Sequence, residues 1–251
     1  MASSIPVVLI TGGNQGIGFA IAQVLSESKK PYTILIGARN VSRGEEAVEK
    51  IKSSKTNDET TISTIQIDIA SSESINDAVE KVTMDHGRLD ILVNNAGIST
   101  KNGSAASRDD WLYIFQVNVF GTVEVTQAFF LLLEKSSNSK VVVMSSSMGS
   151  IGWTEAAEET PMGLALAPYS ASKAAINMHL QYWKKCVPGT KFWGVDPGLC
   201  ATDFGGDFTR NYGRPPKDGA AIVRQCVEGE RDQFVGKVIF QENGEEGSRP
   251  W

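Results

Sequence analysis

Tyr169 and Lys173, four residues apart, carry the most chemical content in the 251-residue sequence. Pro168 suits the first turn of a helix, and residues four apart on a helix share a face, so the phenol and the ammonium are expected side by side. A neighbouring cation favours the phenolate. That should pull the Tyr169 pKa down from its reference of about 10 and make the phenol a usable acid–base group near neutral pH. By itself a YxxxK spacing is common in amphipathic surface helices, so its weight depends on what converges with it.

Three further segments do. An apolar run at 141–144 ends in Ser145-Ser146-Ser147-Met148-Gly149, and Asp90-Ile91-Leu92-Val93-Asn94-Asn95-Ala96-Gly97 closes the run before it. Asp196-Pro197-Gly198-Leu199-Cys200-Ala201-Thr202 follows a later one, and Asn118 lies in a helical stretch at 111–133. Near the start, Thr11-Gly12-Gly13-Asn14-Gln15-Gly16-Ile17-Gly18 follows the first apolar run and precedes a helical pattern. There, small residues would let a pyrophosphate approach the backbone and a helix N-terminus would meet its charge. The spacing is TGxxxGxG and not GxGxxG, so this turn alone would be a weak signal. The end of the second run reads Ile36-Gly37-Ala38-Arg39-Asn40. It lacks the carboxylate that binds a ribose 2′-hydroxyl in NAD sites, and Arg39 offers a planar cation for a 2′-phosphate. NADP(H) is therefore expected over NAD(H), with Arg39 as the discriminator and Arg43 in support.

The elements that must position these groups are legible as a repeating pattern. Apolar, β-branched runs at 6–10, 32–36, 62–67, 91–93, 141–144, 192–195 and 234–240 predict seven strands. Between them, Ile17, Ile21, Val24 and Leu25, or Ile75, Val79 and Val82, recur at helical spacing. Continuous apolar runs suit strands buried on both faces of a parallel sheet. The expected fold is α/β: a single doubly wound, Rossmann-type domain over 1–251, a seven-stranded parallel sheet flanked by helices. The stretch 53–61 reads as a surface loop and 242–251 as a loosely held terminus.

Composition narrows the function classes. With 41% hydrophobic and 21% charged residues, the chain can bury a large core, which excludes collagen, coiled coil and wholesale disorder. A net charge of −5 and isolated basic doublets argue against nucleic-acid partners and anionic membrane surfaces. No window approaches the roughly 20 apolar residues of a membrane span, and Cys186, Cys200 and Cys226 are too scattered for a zinc cluster. A cytoplasmic protein with reduced thiols and no metal is expected.

Taken together, TGxxxGxG at 11–18, NNAG at 94–97, the Asn118, Ser, Tyr169, Lys173 set and PGxxxT at 197–202 resemble the short-chain dehydrogenase/reductase family over nearly the whole chain. The wording of 38–44 and the tail ending in Trp251 look most like its NADPH-dependent carbonyl reductases. The resemblance implies that Tyr169 donates a proton to a carbonyl oxygen. Lys173 would tune it and hold the nicotinamide ribose, and Asn118 would anchor a water leading to Lys173. Of the adjacent serines, the family pattern selects Ser146 for the substrate oxygen. Gly12, Asn14, Gln15, Gly16, Ile17 and Gly18 would cradle the cofactor, with Asp68 and Ile69 at the adenine. Asn95, Ala96 and Gly97 would line it, and Pro197, Gly198 and Thr202 would sit at its nicotinamide end. The implied activity is NADPH-dependent reduction of a ketone or aldehyde, a small-molecule carbonyl substrate of hydrophobic character. Two alternatives stand beside it: a bifunctional natural-product tailoring reductase/cyclase, and an NADP(H)-sensing binding protein that keeps the fold without the reaction.

Ser146 and Tyr169 are 23 residues apart, more than in simple members of the family. The extra segment, 151–167, is expected to overhang the substrate site with Trp153 and Met162 in its lining; a lid without substrate contact is the equal alternative. A longer insertion here accompanies monomeric carbonyl reductases, which favours monomer over homo-oligomer. Residues 199–216, with Phe204 as a further pocket residue and Gly205-Gly206 as hinge, would form a mobile substrate loop. His86 and His179 fall away from every motif, and Asp196 reads as a turn-forming carboxylate.

Overall fold

A computed structural model describes residues 5–99, 106–159, 163–242 and 244–251. In chain order the elements are β1 (Val7–Thr11), α1 (Gly16–Ser26), β2 (Thr33–Ala38), α2 (Val41–Lys52), β3 (Thr61–Gln66), α3 (Ser72–His86) and β4 (Ile91–Asn94). Then come α4 (Arg108–Phe115), α5 (Thr122–Ala128), α6 (Phe130–Leu133), β5 (Lys140–Met144), α7 (Ile151–Ala156), α8 (Ala167–Cys186) and β6 (Lys191–Asp196). The chain closes with α9 (Gly206–Tyr212), α10 (Pro216–Glu228), β7 (Val238–Glu242) and β8 (Glu245–Ser248).

The strands form one sheet in the order β3-β2-β1-β4-β5-β6-β7-β8, parallel throughout except for the antiparallel β7–β8 pair. Successive residues of β1 explain why its run is unbroken: Val8 and Ile10 enter a core with α1, α2 and α10, whereas Val7 and Leu9 enter one with α3, α5 and α8. Helices on both faces leave no wet side, so every residue of β1, β4 and β5 is buried. The edge strand β3 departs from that expectation. At the edge of the sheet, it mixes exposed Thr61, Ser63 and Gln66 with buried Ile62 and Ile65.

Local signals agree with the boundaries. Asn40 caps α2 through Arg43 N–H at 3.0 Å, Ser107 and Asp110 form a reciprocal capping box on α4, and Gly87 ends α3 with φ of 72°. The expected helical stretch at 111–133 is helical, built from three short α-helices with a π-helical turn, Gln116–Gly121, between the first two.

The stretch 242–251, expected to be loose, is a structural part of the sheet. It supplies the eighth strand, and Arg249 reaches back to the end of β6, where its Nε donates to Asp196 Oδ2 at 2.7 Å. The Asp196 side chain is 3% exposed and that of Arg249 13%. Beyond it the Trp251 backbone oxygen accepts from Gly152 N–H at 2.8 Å, and Ser150 Oγ donates to the Pro250 carbonyl. The tail thereby joins the end of β6 to the start of α7. Hydropathy did not show this because the holding interactions are ion pairs, of Arg249 with Asp196 and of Glu246 with Arg231, and backbone contacts.

Breaking a buried ion pair by removing one partner leaves the other charge uncompensated, at a cost of roughly 3–5 kcal/mol. Urea unfolding of Arg249→Ala is expected to show a loss of about 3 kcal/mol with an unchanged m-value. A loss below about 0.5 kcal/mol, the range of neutral surface changes, would mean that the tail contributes nothing to the fold.

Candidate active site

The strand order reverses between β1 and β4, and the crevice at their carboxyl ends is where an open α/β sheet can receive a ligand. Thr11 ties the two strands together there. Its Oγ1 accepts from the N–H groups of Asn95 and Ala96, each at 3.0 Å. Asn95 Nδ2 in turn donates to the carbonyls of Thr11 and Gly12 at 2.9 and 3.2 Å, so this side chain shapes the glycine loop. Asn94 Nδ2 donates to Thr126 Oγ1 at 2.8 Å in the core.

The glycines are required by space and by dihedral. Gly12 and Gly16 have φ of 63° and 57°, and a Cβ at Gly18 would come within 2.4 Å of both Asn95 Nδ2 and the Gly12 carbonyl. At the start of α1, Gln15 makes no side-chain cap, which leaves the first N–H groups of the helix without a capping side chain. Facing this turn is Thr202, whose methyl group lies 3.5 Å from where a Gly16 Cβ would be. A groove of about 490 Å³ runs between them, lined among others by Gly16, Phe19, Gln23, Thr202, Arg210 and Lys217. An uncapped helix start, a cradle that side chains would fill and an adjoining groove suit a dinucleotide pyrophosphate. Arg39 is exposed just past β2, and Asp68 and Ile69 follow β3, along the same edge of the sheet. Asp68 Oδ1 accepts from Ala70 N–H at 3.0 Å, which orients that turn.

On the other side of the crevice α8 presents Tyr169 and Lys173, 9% and 6% exposed, toward the end of β5. Lys173 Nζ donates to the Met144 carbonyl at 2.7 Å and lies 5.6 Å from the Tyr169 ring centroid. The tyrosine does not carry the lowered pKa expected from its sequence context. Burial raises it well above the ordinary phenol value; the Ser146 hydroxyl draws it part of the way back, and the Asp196 carboxylate adds to the rise. Burial also pulls Lys173 down, from 10.5 to about 8. Desolvation outweighs pair attraction at both groups because neither faces water. Burial thus favours the neutral form of the phenol.

Asn118 sits in the π-helical turn, where the extra residue swings its side chain inward. Its Oδ1 accepts from Ile98 N–H at 2.8 Å, while Nδ2 donates to the Ile98 carbonyl at 2.9 Å and to Ser172 Oγ at 3.1 Å. A Cβ on Gly97 would lie 3.3 Å from Asn118 Oδ1 and 3.7 Å from Lys173 Nζ, so bare backbone separates these two polar groups. Past β6, Pro197 and Gly198 turn back on Asp196, whose Oδ1 accepts from Gly198 N–H at 3.1 Å. This is the turn role expected for the carboxylate; its second oxygen is the one that holds Arg249.

The segment expected to flank a substrate carries exposed apolar side chains. Phe204 meets the Tyr169 ring edge-on, centroids 5.7 Å apart, and Leu199, Phe208 and Tyr212 are exposed on the same segment. That segment is folded back on itself: Ala201 and Arg214 pair through backbone, and Thr209 Oγ1 donates to the Thr202 carbonyl at 2.6 Å. Gly206 has φ of 66° at the expected hinge. Trp153 is half-buried in α7; Met162 lies outside the described residues. His86 ends α3, and His179 packs on Trp183 at 5.5 Å, both apart from the site. Sequence reading missed Ser172 and Asn177. Their places three and eight residues after Tyr169 on one helix were the available signal.

The family model described as short chain dehydrogenase matches residues 6–213. The chain belongs to the short-chain dehydrogenase/reductase family. Among its relatives are the short-chain dehydrogenase anuI of Penicillium roqueforti, 36% identical over 95% of both chains, and the short-chain dehydrogenase/reductase tropE of Talaromyces stipitatus, 32% identical over 94% of this chain and 95% of that one. In fold it is similar to an NADPH-bound carbonyl reductase from chicken fatty liver, with a TM-score of 0.81, 21% identity and coverage of 98% and 99%. It is also similar to an alcohol dehydrogenase from Thermococcus sibiricus complexed with 5-hydroxy-NADP, with a TM-score of 0.75, 24% identity and coverage of 90% and 91%. As a member of the family, the protein is an oxidoreductase.

The displaced lysine pKa has a consequence for stability. Between about pH 8 and 10.5 the unfolded chain binds the Lys173 proton and the folded protein does not, so stability rises with pH across that window. The burial penalty is complete below about pH 8 and fades as pH approaches 10.5. Relative to Lys173→Met, the wild type is expected to gain about 3 kcal/mol over this range in chemical denaturation, at 1.36 kcal/mol per unit. A difference that stays flat with pH would show that the ammonium is solvated.

Proposed function

We propose that the protein reduces a ketone or aldehyde to an alcohol using NADPH, with Tyr169 as general acid. The observation that carries this reading is the buried Tyr169 phenol on α8, with Lys173 Nζ 5.6 Å from its ring centroid and anchored to the end of β5, the strand that leads into Ser146. A protonated phenol at a water-poor site is the form that can give a proton to a developing alkoxide, and the Ser146 hydroxyl can stabilise the same oxygen. NADPH would be held by the 12–18 glycine loop, Arg39, Asp68 and the 95–97 and 197–202 turns, and when bound it supplies the hydride. Lys173, with reduced basicity, keeps a proton on Nζ one residue pair away from the phenol, and Asn118 fixes the backbone at Ile98 beside it. The missing carboxylate after β2 and the exposed Arg39 support NADP(H) over NAD(H). The apolar rim of Leu199, Phe204, Phe208 and Tyr212 suits a hydrophobic substrate, aromatic ones included. The relatives' names and the two cofactor-bound structural neighbours are in keeping with this assignment.

In a spectrophotometric NADPH-oxidation assay over a panel of aliphatic and aromatic carbonyl compounds, Tyr169→Phe is expected to lower kcat by roughly 10²–10⁴-fold. An undiminished rate would remove tyrosine from the mechanism. NADPH binding without turnover of any carbonyl would favour a cofactor-binding role.

Cofactor choice is tested separately. Arg39→Asp is expected to cut the ratio of NADPH to NADH efficiency by roughly tenfold to a hundredfold through loss of a charge-assisted contact to phosphate. A ratio unchanged within error would mean that Arg39 is a solvated surface residue.

A further inference from the structure

Asn177 lies on α8, four residues beyond Lys173 and eight beyond Tyr169, so the three side chains share one helix face. It is 4% exposed, and both ends of its amide are spent on the segment that bears Ser146. Ser145 Oγ donates to Asn177 Oδ1 at 2.6 Å, and Asn177 Nδ2 donates to the Gly149 carbonyl at 3.0 Å. These contacts flank Ser146 on either side.

Apart from the far end, where Ser150 Oγ donates to the Pro250 carbonyl of the tail, the segment has few other means of holding its place. Ser145 N–H donates to the Val195 carbonyl at 2.7 Å, tying the start of the turn to β6. From there to Ser150 the backbone bonds are internal: Met148 N–H to Ser146 Oγ at 3.2 Å, Gly149 N–H to the Ser146 carbonyl at 3.0 Å and Ser150 N–H to the Ser147 carbonyl at 2.9 Å. Such a turn can move as a unit. Gly149 lies flush against α8, since a Cβ there would come within 2.7 Å of Lys173 Cβ. Close packing sets the distance from the helix but not the position along it. A buried amide that accepts from one end of the turn and donates to the other sets that position, and leaving either group unpaired in the interior is costly.

We propose that Asn177 is a positioning residue for the catalytic serine. By holding Ser145 and Gly149 it sets Ser146 in register with Tyr169, using the helix that carries the general acid as the reference. Its kinetic consequences rest on the reductase assignment; its structural consequence does not.

Asn177→Ala and Ser145→Ala would be compared with the wild type by hydrogen–deuterium exchange and by NADPH-dependent carbonyl reduction. The amides of 148–150 are expected to exchange about tenfold or more faster in Asn177→Ala, with those of β5 and β1 unchanged. The kcat should fall roughly tenfold to a hundredfold, as for a small misplacement of a reacting group, with the KM for NADPH within about twofold of wild type. In a Ser146→Ala background the same substitution should cost no further activity, because the residue it positions has already been lost. Rescue is expected from Asn177→His, which retains a donor and an acceptor. Unchanged exchange at 148–150, or losses that simply multiply in the Ser146→Ala background, would overturn the proposal. Should Asn177→Ala not fold, Ser145→Ala removes one arm without a sizeable cavity, and the same exchange and non-additivity criteria apply to it. If the wild type reduces no carbonyl, the assigned reaction fails while the exchange result still decides whether the clamp exists.

Discussion

The junction between α8 and the end of β5, where Lys173 Nζ meets the Met144 carbonyl, is the constraint on which the rest of the site depends. A lysine is rarely buried, and here the core admits one by giving its ammonium a backbone acceptor at the edge of the sheet. That contact fixes the helix bearing Tyr169 against the end of β5 and beside the turn that carries Ser146. It also explains the glycines around it: Gly97 and Gly149 leave room where a side chain would push α8 or Asn118 away.

Three devices then converge on this junction from distant parts of the sequence. The π-helical turn at Gln116–Gly121 delivers Asn118 to Ile98 and Ser172. The Asp196 carboxylate organises the Pro197-Gly198 turn with one oxygen and the tail with the other. The tail reaches Ser150 and Gly152, at the start of α7. Polar contacts at the carboxyl edge thus act on a scaffold whose stability comes from two apolar layers, one on each face of the sheet.

Much of this was legible beforehand. Seven strands, the glycine turn, Asn118, Ser146, Tyr169 and Lys173 follow from period, spacing and family likeness, because each rests on local sequence. Two of the expectations that the structure overturned failed for related reasons. The loose tail became β8 since its anchor, Arg249, pairs with a residue 53 positions away. The lowered tyrosine pKa was inferred from a neighbour on the same helix, whereas the value is governed by burial, a property of everything packed around it.

The sequence alone therefore determined seven of the eight strands, their order, and which residues are chemically capable, since helical and strand periods and turn dihedrals are local properties of the chain. Only the tertiary structure decided the protonation tendencies of Tyr169 and Lys173, the anchoring of the tail, and the Asn177 clamp across the serine turn. Desolvation and hydrogen-bond satisfaction depend on which distant atoms surround a group, and no spacing along the chain encodes that directly.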